Sequence, residues 1–226
     1  MRILNNIPLK FNQDKILGII YHGNTNVSEH RKKELNGIIE DSYQLINPKA
    51  LYTSLTIKKI TNGGIILENE KRLKSSLLVK KLKCSPELIF YLITIGDKLE
   101  KRMRELSGDI LQAFILDRIG TYALELSTEY LEKLVKKEKN YQKISKFSPG
   151  STRFWNIEEQ KVIFEILESE KIGVRLTDSY LMIPQKSVSG LMGLTRQEFY
   201  ECQICKKECD YRRKKFNHLF SRNLKD

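Results

Sequence analysis

Hydrophobic residues recur every three to four positions in several parts of the chain, which is the spacing of a helix that buries one face. The longest such pattern predicts a helix over Asp109–Lys139. Shorter ones predict helices over Ser28–Ile46 and Leu73–Leu82. A fourth helix is predicted to begin at Asn156, with Glu159 as its capping-box partner, and to end at Gly173.

Four other stretches have the composition of β-strands. Leu51–Ile57 and Gly64–Leu67 flank an Asn-Gly turn and are predicted to form a hairpin, since both turn residues tolerate positive φ. Leu88–Ile95 is apolar throughout and predicts a buried strand, and Leu181–Ile183 predicts a short one that stops at Pro184. Helices and hairpins that are segregated along the chain favour an α+β fold, with long helices packed on an antiparallel or mixed sheet.

We expect three parts along the chain. Residues 1–100 form an N-terminal α/β portion, residues 101–200 form a second portion of the same compact unit, and residues 201–226 form a basic tail that contains cysteines.

Composition limits the class of protein but does not identify the partner. No apolar run approaches the roughly 18–20 residues needed to cross a bilayer, and the N-terminus has no signal-peptide pattern, so we expect a cytoplasmic protein without a membrane partner. The 226 residues include 40 Lys and Arg against 28 Asp and Glu, a formal charge of +12. That excess is compatible with nucleic acid, a phosphorylated cofactor or an acidic protein surface.

The sharpest local motif is a cluster of three cysteines in the tail, Cys202, Cys205 and Cys209. This spacing is typical of thiolate ligands to Zn²⁺ or to an iron–sulfur cluster, for which Cys84 or His218 could supply a fourth ligand. The alternative is a set of free or redox-active thiols. We therefore predict a metal site at these three cysteines while leaving free thiols open.

Two loops have the residues to hold a small polar ligand. Lys146–Ser151 combines a cation with a glycine turn, and Thr177–Ser179 with Ser187–Gly190 supplies hydroxyls and a carboxylate near Lys186. Such residues also occur in turns that bind nothing. The sequence lacks the phosphate-binding loop, the dinucleotide-binding motif, the zinc-protease helix and the hydrolase nucleophile elbow. Three scattered histidines disfavour a histidine-based hydrolase.

In chain order, these segments resemble the activation domain of cobalamin-dependent methionine synthase. Gly173–Ser179 reads Gly-Val-Arg-Leu-Thr-Asp-Ser, and Met182–Gly190 reads Met-Ile-Pro-Gln-Lys-Ser-Val-Ser-Gly. The family carries Gly-[apolar]-x-Leu-Thr-Glu/Asp-Ser and Met-x-Pro-x-x-Ser-Val-Ser-Gly there. Lys146–Ser151 resembles the family's Arg-x-x-Pro-Gly-Tyr turn, and the resemblance covers roughly Leu88–Tyr200.

The resemblance implies a ligand and a partner. In the parent enzyme this domain binds S-adenosylmethionine, docks on the cobalamin domain and helps to rescue cobalamin that has oxidised to Co(II). Carried over, Lys146 would lie near the methionine carboxylate, and Phe199 or Tyr200 would lie beside the ligand. The full set of implied ligand-facing residues is Lys146, Ser148, Gly150, Asp178, Ser187, Ser189, Gly190 and Tyr200.

Three substitutions distinguish this chain from the family pattern. Lys146 replaces an arginine and loses its bidentate grip on a carboxylate, Ser151 replaces a tyrosine, and Thr121 falls where the family helix carries a glutamate. We expect an accessory protein that reactivates cobalamin in a separately encoded methionine synthase or other corrinoid methyltransferase. The alternatives are a basic zinc-knuckle module for nucleic acid or protein, with nucleic acid the less favoured partner, and a scaffold that has lost its ligand.

Overall fold

An antiparallel sheet of seven strands organises the computed structural model, which describes residues 1–21, 23, 27–106, 108–209, 212 and 214–217. The strand order is β4-β3-β2-β5-β9-β6, and β1 pairs with β2 beside this path. A separate hairpin joins β7 to β8. The strands are β1 (Arg2–Asn5), β2 (Lys49–Thr61), β3 (Gly64–Leu67), β4 (Arg72–Leu73), β5 (Glu87–Thr94), β6 (Ile144–Phe147), β7 (Arg175–Leu176), β8 (Met182–Ile183) and β9 (Ser187–Leu194).

Helices cover both faces of this sheet. They are α1 (Gln13–Ile20), α2 (Glu29–Leu45), α3 (Ser76–Lys81), α4 (Lys98–Glu105), α5 (Ile110–Lys139) and α6 (Gln160–Ile166). Short 3₁₀ turns occur at Ile157–Glu159, Ser169–Ile172 and Glu201–Gln203. Within the residues described, no helix is both long and apolar enough to span a bilayer.

The long helix predicted from the sequence is confirmed as α5, and its ends follow from local chemistry. Asp109 accepts a hydrogen bond from the Gln112 backbone N–H at 2.9 Å and so caps the first turn. Asn140, with φ of 53°, ends the helix in the left-handed conformation. The predicted α2 start is likewise confirmed, because Ser28 caps the helix through the Arg31 N–H.

The sheet separates two apolar layers because successive side chains of β5 point to opposite faces. Leu88, Phe90 and Leu92 pack into a cluster with residues of α3 and α6. Ile89, Tyr91 and Ile93 pack on the other face against Leu131 and Val135 of α5. A third cluster joins α1 and α2 to the first half of α5. The predicted α+β class is confirmed, and strands from both halves of the chain pair in one sheet.

Three local predictions were wrong. Leu73 lies in β4 rather than in the following helix, because Ser75 caps that helix by accepting from Leu78 N–H. Asn156 makes no side-chain cap, and Glu159 instead accepts from the backbone N–H of Lys74 at 2.9 Å. Ser187–Gly190 is the start of β9 in the middle of the sheet, not a loop.

Gly190 lies where three neighbouring strands approach one another closely. A Cβ at this position would lie 2.4 Å from the Phe147 carbonyl oxygen of β6 and 2.6 Å from Tyr91 Oη of β5. Both distances are shorter than any real Cβ contact, so only glycine fits without a shift of backbone or ring. The small residue is therefore what allows the Tyr91 ring to lie across β9.

Replacing Gly190 with Ala should destabilise the fold by about 1–3 kcal/mol, since the new methyl group collides with backbone. Gly37 is the matched control because a Cβ there, on exposed α2, meets nothing within 4 Å. Gly37→Ala should stabilise the protein by about 0.5–1 kcal/mol. Urea unfolding of both variants measures the change in the free energy of unfolding. A Gly190→Ala variant as stable as the wild type would contradict the packing argument.

Candidate functional site

A cavity of about 360 Å³ lies between the middle of α5 and the sheet face that β5, β9 and β6 present. The segment after β9 closes one side of it. Its size falls in the range of small-molecule sites. The cavity is lined by Tyr91, Thr121, Leu124, Glu125, Thr128, Glu132, Ile144, Lys146, Ser148, Val188, Phe199, Tyr200, Glu201 and Cys202.

An ion pair joins the sheet to α5 inside this cavity. Lys146 Nζ of β6 lies 2.8 Å from Glu132 Oε2, and both side chains are only 17% exposed. Lys136 Nζ lies 3.2 Å from Glu132 Oε1. Burial opposes ionisation of Glu132, but the two ammonium groups outweigh it and hold its pKa below the ordinary value. The wall therefore carries a fixed carboxylate and a fixed cation side by side.

Glu201 holds the turn that follows β6. Its Oε2 accepts from the Ser148 backbone N–H at 3.2 Å, and its Oε1 lies 2.5 Å from Ser151 Oγ. Ser151 Oγ in turn donates to the Ser148 carbonyl oxygen, 2.7 Å away. Burial raises the pKa of Glu201 to about 7, although the two hydrogen bonds partly oppose the increase. This carboxyl group is thus able to exchange a proton near neutral pH.

Thr121 lies nearer the start of α5 than Glu132 does, and it contacts a second cation, Lys186. Lys186 Nζ is 2.9 Å from Thr121 Oγ1 and 2.7 Å from Asp117 Oδ1. Thr121 Oγ1 also donates to the Asp117 carbonyl oxygen at 3.0 Å. The position that carries a glutamate in the resembled family is here engaged with Lys186.

Aromatic rings complete the wall. Tyr91 Oη lies 3.5 Å from Ser148 Oγ, so the ring spans β9 towards the turn after β6. Phe199 stacks on Phe147 with 5.7 Å between ring centroids. Tyr200 donates its hydroxyl to Glu198 Oε2 at 3.2 Å. A cavity with both aromatic faces and carboxyl groups is suited to a ligand with cationic character.

A sequence model of the vitamin B12 dependent methionine synthase activation domain matches residues 90–216, more than half of the chain. The chain belongs to this family. The resemblance seen in the sequence is thereby confirmed. The fold is similar to the crystal structure of the MetH reactivation domain bound to AdoHcy, with a TM-score of 0.63 and 16% identity over 88% of this chain and 81% of that one. No curated protein matches the chain.

Three of the residues that the sequence implicated lie together in the cavity of this activation domain: Lys146, Ser148 and Tyr200. Gly150 belongs to the adjoining turn. Its φ is 77°, and a Cβ would lie 2.6 Å from Ile157 Cδ1. The turn itself, between β6 and the first 3₁₀ segment, therefore needs glycine for its shape.

The other implicated residues lie elsewhere. Asp178 is exposed in the turn of the β7–β8 hairpin. Ser187 is buried and bonded to Thr94 Oγ1 and to the Pro184 carbonyl oxygen. Since Val188 lines the cavity, Ser187 and Ser189 point to the opposite face of β9, and Ser189 pairs with Leu92 there. Gly190 lies on the cavity face, beneath Tyr91.

The cysteine loop, Cys202–Cys209, shows no metal site among the residues that the structure describes. No three His, Cys, Asp or Glu side chains in that part of the chain are placed to hold an ion, and His218 falls outside it. Arg212 instead donates to the backbone carbonyls of Cys202 at 2.9 Å and Cys205 at 3.1 Å, and also to that of Lys207. Cys202 also lines the cavity.

Sequence reasoning missed Tyr91, Glu132 and Glu201. A signal existed for Glu132, because Thr121, Glu125, Thr128 and Glu132 recur at helical spacing and so form a polar stripe along α5. Glu201 gave no such signal, since its partners lie some fifty residues earlier in the chain.

Glu201 should make stability fall as pH rises. Its folded pKa of about 7 exceeds the usual 4.5, so the unfolded chain binds fewer protons between those pH values. The free energy of unfolding should therefore decline over this window by as much as about 3 kcal/mol. Glu201→Gln should flatten the decline, as measured by urea unfolding from pH 4.5 to 7.5. A variant that keeps the wild-type slope would refute the assignment.

Proposed function

We propose that this activation-domain protein binds S-adenosylmethionine in the cavity between α5 and the sheet. In this proposal it docks on the cobalamin-binding domain of a separately encoded methionine synthase or other corrinoid methyltransferase and serves reductive reactivation of its cobalt. Family membership and the fold shared with an AdoHcy-bound reactivation domain support this function. The observation that carries it is that Lys146, Ser148 and Tyr200, implicated by the resemblance, line one cavity.

The residues present fit the charges of the proposed ligand. The amino-acid end of S-adenosylmethionine carries a carboxylate and an ammonium group, and the wall offers Lys146 beside Glu132 at 2.8 Å. Lysine provides a point charge where the family has a planar arginine fork, so it reaches a carboxylate with a single contact. Tyr91 and Tyr200 offer aromatic surface for the base or for the sulfonium.

In the proposed reaction this chain binds and orients the methyl donor and forms no covalent bond with it. An external one-electron donor would reduce the Co(II) cobalamin of the partner, and S-adenosylmethionine would supply the methyl group and leave as a thioether. The chain's own residues would bind the methyl donor, fix the direction of its methyl group and keep water from it. An overall charge of +12 favours association with an acidic partner surface, an effect that weakens with salt.

Lys146→Ala should weaken S-adenosylmethionine binding by about tenfold or more, since a charged hydrogen bond contributes about 1.5–3 kcal/mol. Lys146→Arg should retain binding. Lys143→Ala is the matched control, because Lys143 is exposed just before β6 and does not line the cavity. Isothermal titration calorimetry measures all three. Equal affinities for wild type and Lys146→Ala would remove Lys146 from the site.

The reactivation itself can be followed by electron paramagnetic resonance. A cobalamin-dependent methionine synthase that lacks its activation domain, held as Co(II), should lose its signal when this protein, S-adenosylmethionine and a chemical reductant are added together. Lys146→Ala should slow that loss while Lys143→Ala does not. A Co(II) signal that persists with every component present, and with docking verified by sedimentation, would contradict the proposed function.

A further inference from the structure

Lys136 is at the centre of a chain of polar contacts that joins two walls of the cavity. Its Nζ lies 3.2 Å from Glu132 Oε1 and 2.8 Å from Glu198 Oε1. The second oxygen of each carboxylate contacts a residue that lines the cavity. Glu132 Oε2 lies 2.8 Å from Lys146 Nζ, and Glu198 Oε2 accepts from the Tyr200 hydroxyl at 3.2 Å. One ammonium group therefore connects Lys146 of β6 to Tyr200 of the segment after β9.

The charges of this chain of contacts are fixed at neutral pH. Burial lowers the pKa of Lys136, but its hydrogen bonds to Glu198 and Glu132 outweigh burial and raise the pKa above the ordinary value. The hydrogen bond from Lys136 in turn lowers the pKa of Glu198. The Lys136 side chain is only 27% exposed, so water screens its two ion pairs less than it would screen fully exposed ones.

The segment after β9, residues 195–203, brings Phe199 and Tyr200 to the cavity wall. Its backbone is attached to β6 through the Phe199 N–H, which donates to Ser145 Oγ at 2.8 Å. The Lys136–Glu198 pair attaches the same segment to a different element, helix α5. Because Glu198 accepts a hydrogen bond from Tyr200, the position of this carboxylate also determines where the Tyr200 hydroxyl lies.

We propose that Lys136 is a positioning residue of the cavity: through Glu198 it places Tyr200, and through Glu132 it places Lys146. Lys136 itself does not line the cavity, so it acts on a ligand only through these contacts. The inference rests on the proposed function, in which S-adenosylmethionine meets both Lys146 and Tyr200. A ligand that touches both walls binds more tightly when they are already in place, because less side-chain freedom is lost on binding.

Lys136→Met removes the charge and retains a long side chain of similar helix propensity. We expect it to weaken S-adenosylmethionine binding by about threefold or more in calorimetric titration, because residues of one ion-pair network are energetically coupled. Lys136→Arg should retain wild-type binding, since a guanidinium group can donate to both carboxylates. Lys133→Met, at an exposed position of α5, is the matched control and should bind as the wild type does.

A double-mutant cycle tests whether Lys136 acts through Glu198. Glu198→Ala removes the carboxylate that joins Lys136 to Tyr200, and it should fold because Glu198 is exposed. Lys136→Met should therefore weaken binding less in the Glu198→Ala protein than in the wild type. A role in stability alone would not produce this coupling in ligand affinity.

Hydrogen–deuterium exchange of the ligand-free protein gives a second readout that needs no ligand. Backbone amides of residues 195–203 should exchange faster in Lys136→Met and in Glu198→Ala than in the wild type, because a segment opens more readily when one of its attachments is lost. Lys133→Met should exchange as the wild type does. Circular dichroism verifies folding of every variant.

The results that would overturn the inference are distinguishable from those that would overturn the proposed function. If Lys136→Met binds S-adenosylmethionine as tightly as the wild type, if its effect adds independently to that of Glu198→Ala, or if exchange of residues 195–203 is unchanged, Lys136 does not position the cavity residues, although the proposed function stands. If the wild-type protein does not bind S-adenosylmethionine at all, the proposed function falls and the inference falls with it.

Discussion

The absence of a side chain at Gly190 is the constraint on which the candidate site depends. Because nothing projects from β9 at this point, the Phe147 carbonyl and the Tyr91 ring both lie within 3 Å of where a Cβ would be. Tyr91 can then cross β9 and reach the turn after β6, where its hydroxyl group lies 3.5 Å from Ser148 Oγ. The floor of the cavity and the position of that turn thus follow from the packing of three strands.

Two sets of polar contacts join this floor to the other walls of the cavity, and they differ in kind. The Lys146–Glu132 pair is ionic and joins β6 to α5, so breaking it would leave a charge in a mostly buried place. The Glu201 contacts with Ser148 and Ser151 are hydrogen bonds, and they join the turn after β6 to the segment after β9. One side of the site is therefore held by an ion pair, whereas the other is held by a carboxyl group whose pKa is raised to about 7 by burial.

The sequence allowed accurate prediction where the determinants are local. The start of α5 follows from Asp109 and a periodic apolar face, and the first hairpin follows from an Asn-Gly turn. Ser187–Gly190 was misassigned because its small residues have weak strand propensity. A small residue is nevertheless required in this strand, because the Tyr91 ring of the neighbouring strand lies against Gly190. Glu201 could not be predicted, because no nearby residue in the sequence indicates that its hydrogen-bond partners lie about fifty residues earlier.

The arginine that binds the cysteine loop has a consequence for the lifetime of this part of the protein. Arg212 donates to the backbone carbonyls of Cys202, Cys205 and Lys207, since its guanidinium group carries several N–H donors in a planar fork. It also has no redox chemistry and no affinity for chelators. The backbone contacts that shape the loop therefore do not themselves depend on a group that oxidants or chelators attack.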